Sequence, residues 1–322
     1  MVKNRHLDEH AEFLKGSVRT PPLVPAVIDW STKQADIRAV ILGGSHVQPT
    51  ASPDALSDLD VVVYSTRLNR YTSSDAWMSS IAPVWVYEAE TADGYPQRLV
   101  IFNGGHKVDF SLRPFTLLEE EVRSQTVPGW YHRGYTVLVD KDGLAASLPP
   151  PSGRPPITRP PTASELRKLC ELFWFEAYHV AKYLKREELF AAKGRHTAMI
   201  FQQLLPMLEW YEKSKHGWQY DTLHLGHHMK TWLEPEVWNE LQGAFSGLQS
   251  TVSWDALETS TNLFRRVATA TAKGLQYSYP SHVDQNVSRF ITSLHGACVG
   301  DHLTPGGECR DGQNPSPTPD CL

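Results

Sequence analysis

Three carboxylates stand where short apolar runs open. Asp58 and Asp60 lie in Ser57-Asp58-Leu59-Asp60, which leads into Val61-Val62-Val63, and Asp109 lies in Val108-Asp109-Phe110-Ser111. In an extended strand residues i and i+2 project to the same face, so Asp58 and Asp60 point together while Leu59 faces a core. Two like charges that close raise each other's pKa unless a cation lies between them. A hard divalent ion relieves that repulsion, and Mg2+ suits one or two carboxylates completed by substrate phosphates. With Asp109 as a third carboxylate on a neighbouring strand, the set suits two ions about 3.5–4 Å apart, one gripping phosphates and one activating a hydroxyl. Gly44 and Ser45, just after the apolar run 38–42, supply the complement. Glycine lets backbone N–H groups approach an anion, a helix N-terminus there favours a triphosphate, and the serine hydroxyl adds a donor. Gly-Ser or Asp-x-Asp alone is commonplace in turns and strand ends. The ordered set carries the reading.

The elements that position these residues are legible in outline. Apolar, β-branched runs at 38–42, 59–64, 84–88, 98–102, 107–112 and 135–140 are bounded mostly by Gly, Pro, Asp or Asn, as short strands are. Asn103-Gly104-Gly105 between the fourth and fifth runs is a hairpin signal. A helix is expected before the first strand and a short one over 116–124. Seven prolines fall between Pro149 and Pro161, so 146–162 reads as a linker or strap. Beyond Ser164, Leu166, Leu169, Phe173, Ala177, Val180 and Leu184 recur at helical spacing. Further helices are expected at 195–214, 235–245, 252–277 and 281–296. The fold class is therefore α+β: an α/β domain over 1–145, the linker, a helical bundle over 163–300, and a tail over 301–322 too poor in apolar residues to pack.

Composition sets the bounds. The 322 residues, 41% hydrophobic, suffice for two domains with real cores, and a net charge of -5 shows no basic excess of the kind nucleic-acid binders carry. Cys170, Cys298, Cys309 and Cys321 lie far apart with no Cys-x-x-Cys spacing, poor material for disulfides or zinc. The N-terminal stretch is charged throughout, unlike a signal peptide, and no run approaches the roughly 18–20 apolar residues that span a bilayer. A soluble cytoplasmic protein is expected, with neither nucleic acid nor membrane as partner, monomeric or weakly dimeric.

The ordered arrangement resembles the nucleotidyltransferase superfold that includes DNA polymerase β, and more narrowly the aminoglycoside 6-adenylyltransferase (streptomycin adenylyltransferase) family. The stretches that carry it are AVILGGSHVQPTASPDALSDLDVVVY at 39–64 and LVIFNGGHKVDFSLRPF at 99–115. In the helical half they are FWFEAYHVAKYLKREEL at 173–189, MLEW at 207–210 and LGHHMK at 225–230. The likeness spans roughly 25–295. It implies ATP-dependent transfer of AMP to a hydroxyl of an aminoglycoside such as streptomycin, with Mg2+ as cofactor and pyrophosphate released. It implies Gly44 and Ser45 as phosphate contacts, Asp58 and Asp60 as metal ligands, and Asp109 as ligand, general base or both. The family usually carries arginine after Gly-Ser; here His46 stands there, a phosphate donor whose charge is not assured at neutral pH. Asp54 also matches a family aspartate, but its loop position favours a solvated turn residue.

In the helical half, Trp174, Tyr178, Lys182 and Lys185 form a second stripe three or four residues apart. Lys182 is the candidate triphosphate contact, against the reading of a solvated lysine. Trp174 and Tyr178 are candidates to stack on adenine or the acceptor, against core packing. Glu176 is a candidate carboxylate for a polycationic acceptor, although acids and bases balance over 161–190. His224, His227 and His228 share one face if helical, but no further ligand completes a metal site. Two other functions stay open: the same chemistry on another small alcohol or a protein hydroxyl, and a non-catalytic nucleotide-binding module.

Overall fold

The computed structural model of the chain describes residues 23–48, 53–155 and 158–296. The expected tail over 301–322, with Cys298, Cys309 and Cys321, lies outside the described residues. The chain divides into two compact units, the first ending at Thr158 and the second beginning at Arg159.

The first unit is a mixed six-stranded sheet ordered β3-β4-β5-β2-β1-β6. The strands are β1 (Ile37–Leu42), β2 (Leu59–Ser65), β3 (Val84–Ala92), β4 (Tyr95–Phe102), β5 (His106–Pro114) and β6 (Thr136–Asp140). They match the expected runs, lengthened at several ends. Only β2 and β5 pair in parallel, which places Asp60 opposite Asp109 and Leu59 opposite Val108. Alternation then divides the side chains between two faces. Val61, Val63, Val108, Phe110 and Leu112 join Val27 and Trp30 of helix α1 (Val24–Lys33) in the larger core. Val62 and Tyr64 face the other way, onto Leu118 of α2 (Phe115–Ser124), Tyr131, Ala145 and Leu148. The β3–β4 turn uses Asp93 and Gly94, both at positive φ, the geometry that Asp-Gly favours in two-residue hairpins. The β4–β5 turn uses Gly104 and Gly105 at positive φ, as the sequence predicts.

The second unit is helical. Its long helix α3 (Ala163–Lys185) begins with a capping box, in which Thr162 accepts from the Glu165 amide and Glu165 accepts from the Thr162 amide. The expected single helix over 195–214 is α4 (Leu189–Met199), a π-helical stretch Ile200–Leu204, and α5 (Leu205–His216). Pro206 explains the break: it has no N–H to donate one turn back and its ring crowds that carbonyl. The bundle continues with α6 (Pro235–Gln242), α7 (Ser250–Gly274) and α8 (Ser281–Gly296). Phe173 and Phe264 stack in its core with centroids 3.7 Å apart. Among the described residues, no helix is long and apolar enough to cross a membrane.

Candidate active site

The parallel register of β2 and β5 brings two predicted carboxylates side by side. Asp60 and Asp109 are direct partners on the sheet face that carries Val62 and Tyr64 further along β2. Strands in register lie about 4.8 Å apart, within reach of a shared counter-charge. Asp58 immediately precedes β2 and is tied to the pair through a lysine: Lys107 donates from Nζ to Asp58 Oδ2 and to Asp109 Oδ2, each at 2.8 Å. Lys107 stands two residues before Asp109 on β5 and so shares its face.

The electrostatics are those of a site short of positive charge. Burial, then the neighbouring Asp109 and Asp58, push the Asp60 carboxyl up to about 6 against the pull of Lys107. Burial likewise raises Asp109, although Lys107 opposes it. Burial works to lower Lys107, but its bonds to Asp109 and Asp58 more than offset that and leave it raised. Asp109 Oδ1 is buried with no hydrogen-bond partner. A buried acceptor left so is costly unless a cation or donor meets it. An all-oxygen donor set of this kind fits a hard divalent ion such as Mg2+, with Asp58, Asp60 and Asp109 as the residues that can hold it. Among the described residues, no three His, Cys, Asp or Glu side chains are already gathered as a metal cage. The Lys107 ammonium stands among the carboxylates instead.

The Gly43-Gly44 pair adjoins this set for steric reasons. A Cβ on Gly44 would fall 1.8 Å from Asp60 Oδ2, and Gly44 holds φ at +68°. A Cβ on Gly43 would fall 2.6 Å from the Trp130 ring, while the Gly43 amide donates to the Asp60 carbonyl at 2.8 Å. Gly44 is thus required by the carboxylate beside it, apart from any phosphate. The helix N-terminus expected there is instead a single 3-10 turn, Ser45–Val47, too short to carry a helix dipole. Ser45 opens that turn, half-buried. His46 Nε2 lies 3.3 Å from the Ser57 carbonyl oxygen and donates to it, bracing the far end of the loop. Asp54 is exposed and accepts from the Leu56 amide and the Ser57 hydroxyl, the turn role expected of it.

The predicted residues of the helical unit part company. Trp174 is fully buried in the bundle core, where its indole donates to the Tyr279 hydroxyl at 2.9 Å. This corrects the stacking role expected of it, because its ring has no face open to a ligand. Tyr178 is half-buried and stacks on Phe290, with Lys182 Nζ 5.0 Å from its ring centroid. Glu176 is paired with Arg195 at 2.6 Å. His224, His227 and His228 are exposed and lie in a turn rather than on a helix, His228 at positive φ. Sequence reasoning passed over two residues. Lys107 was findable, since the alternation that pairs Asp58 with Asp60 also pairs Lys107 with Asp109. Trp130 has no local signal, because its partner Gly43 lies far away along the chain.

Comparison with known proteins finds relatives that match most of the chain. A family model described as streptomycin adenylyltransferase matches residues 21–294. An aminoglycoside 6-adenylyltransferase of Bacillus subtilis (strain 168) is 26% identical over 277 residues, covering 83% of this chain and 95% of that protein. One from Campylobacter jejuni is 25% identical over 272 residues, covering 82% and 92%. A crystal structure of an aminoglycoside 6-adenyltransferase from Bacillus subtilis covers 87% of this chain and all of its own, with 21% identity and a TM-score of 0.43.

Proposed function

Because the chain belongs to the streptomycin adenylyltransferase family, and is thus a nucleotidyltransferase, we propose that it transfers AMP from ATP to a hydroxyl of an aminoglycoside such as streptomycin, releasing pyrophosphate. The observation that carries the reading is the register of Asp60 against Asp109, with Asp58 joined to them through Lys107 and Gly44 packed on Asp60. Asp58, Asp60 and Asp109 would hold Mg2+, which when bound neutralises phosphate charge and polarises the phosphorus under attack.

The chain's own part is positioning and proton handling. The acceptor oxygen bonds to the α-phosphorus of ATP as the bond to the pyrophosphate oxygen breaks, and the hydroxyl proton goes to a carboxylate. Asp109 is proposed for that role: burial raises its carboxyl above the ordinary value, which makes it the stronger base, and its Oδ1 accepts no other hydrogen bond. Ser45 follows Gly44 directly at the start of the 3-10 turn, and its hydroxyl and the turn's backbone amides are proposed as donors to phosphate. Lys182 of α3, held over Tyr178, is proposed as a cation for the leaving pyrophosphate.

The test is transfer of labelled AMP from ATP to streptomycin in the presence of Mg2+, with D58N and D60N alongside. Labelled streptomycin from the wild type, and loss of label with either variant while the protein stays folded, is the expected result. Unlabelled streptomycin beside labelled protein or another alcohol would overturn the acceptor. Label persisting in D60N would overturn the site.

A further inference from the structure

Lys107 is the one charged group at the site to which neither the carboxylate spacing nor the family likeness gave a role. Its ammonium makes two bonds of 2.8 Å, to one oxygen each of Asp58 and Asp109. It is 31% exposed, with the two acids 44% and 25% exposed, so the group is at the rim of the sheet face rather than locked in a core. Asp60 has no hydrogen bond to its carboxylate among the described residues and feels all three neighbours. One ammonium thus faces three acids, and the oxygens it holds belong to the same set that would take a divalent ion.

We propose that Lys107 is an exchangeable counter-ion, holding Asp58 and Asp109 until a divalent cation competes it away. This rests on the metal-dependent reading above. Three carboxylates this close repel one another, and repulsion favours protonation, which spoils them as ligands. A lysine in their midst keeps them ionised and in place. Lysine suits the task because its charge is a compact point on a flexible stem, able to withdraw along the strand surface, whereas arginine's planar fork binds carboxylates in pairs. The same attraction weakens the site for a bare ion. Metal therefore binds well only when it arrives with a nucleotide, whose phosphates add the negative charge that Lys107 cancels.

The measurement is Mn2+ binding to the full-length protein without nucleotide, followed by electron paramagnetic resonance with Mg2+ as competitor, on wild type, K107M, K107R and D60N. K107M is expected to bind Mn2+ about tenfold more tightly than wild type, the scale of one or two partly exposed ion pairs removed. K107R keeps the charge but grips carboxylates in pairs and withdraws less readily. It is expected to bind Mn2+ no more tightly than wild type, and tighter binding by it would overturn the role of the charge. Thermal melts establish that each variant is folded, and K107Q carries the same test should K107M fail to fold. Equal or weaker binding by folded K107M or K107Q, with wild type still binding and D60N impaired, overturns the counter-ion role and leaves the metal-dependent reading standing. Binding by D60N equal to wild type overturns that reading, and this inference with it.

Discussion

Asp60 in the α/β unit and Asp284 in the helical unit are both carboxylates withdrawn from solvent, and their surroundings differ in kind. Asp284 accepts from Arg265 Nε and Nη2 at 2.7 and 2.8 Å, from the Tyr279 hydroxyl at 3.0 Å and from Ser288 Oγ at 2.9 Å. Arg265 in turn lies 5.3 Å from the Trp174 ring, whose indole donates to Tyr279. Every member of that network is satisfied from within the bundle. Asp60 is met by other acids, a lysine that bonds elsewhere, and a glycine that makes room for it. A saturated buried charge fixes architecture, whereas an unsaturated one at a sheet rim waits for a ligand. The contrast supports the proposal that the α/β unit holds the chemistry.

Substitution should separate the two most sharply. D60N is expected to cut adenylyl transfer by at least ~100-fold, the scale on which losing one charge-stabilising group acts. Its melting temperature should stay level or rise, since a like-charge contact is relieved. D284N should do the reverse. Neutralising Asp284 weakens its bonds to Arg265, Tyr279 and Ser288. Because Arg265 is 37% exposed and screened by solvent, the cost is about 1–3 kcal/mol, which lowers the melting temperature by roughly 5 °C. Transfer assayed well below that transition should persist. A D60N protein that melts early, or a D284N protein that does not, would break the comparison.

A third difference concerns protons. His196 is buried in the bundle beside Ser260, its Nε2 2.8 Å from the hydroxyl, and burial with help from Lys193 holds its pKa down to about 4. The unfolded chain binds that proton near pH 6.5, so between pH 6.5 and 4 the unfolded state takes up more protons than the folded one. Stability from this group is complete above pH 6.5 and declines as the solution is acidified, by up to about 3 kcal/mol. Melts from pH 7 to pH 4 should fall along this limb, and H196Q should flatten it. The raised carboxyls of the α/β unit act with the opposite sign: Asp60 favours the folded state at low pH and loses that contribution as pH rises through about 6.

How far the sequence revealed these regions follows the range of the interactions involved. The strands and their faces were readable because alternation is local, and Asp58, Asp60 and Asp109 were readable because each opens or flanks an apolar run. Their meeting needed the parallel β2–β5 pairing, which no local pattern states. Trp174 was misjudged because the residue that claims its indole, Tyr279, is 105 positions away. Helical spacing placed it on a stripe and could not say which stripe was inward. The 3-10 turn at Ser45–Val47 replaced an expected helix start because Gln48, which precedes a proline in the sequence, takes the extended backbone that such a residue favours.

The smallest effect probes packing that serves position in the α/β unit, as Phe173 on Phe264 serves stability in the bundle. Trp130 backs the Gly43-Gly44 segment, with Tyr131 4.1 Å from its ring and Arg113 5.8 Å from it. W130L removes that support without touching a carboxylate. It should raise the KM for ATP by roughly three- to tenfold, as a slight misplacement does, while kcat changes less. G43A should be more damaging, because its methyl group meets the Trp130 ring at 2.6 Å and Gly43 is bonded through its amide to Asp60. The two changes share one space, so they should not add: with leucine at 130 the alanine finds room, and G43A/W130L should bind ATP better than G43A alone. Strict additivity in that cycle would mean the indole fills space beside the loop without positioning it, and the tight approach at Gly43 would then be a matter of stability alone, as the Phe173–Phe264 stack is in the bundle.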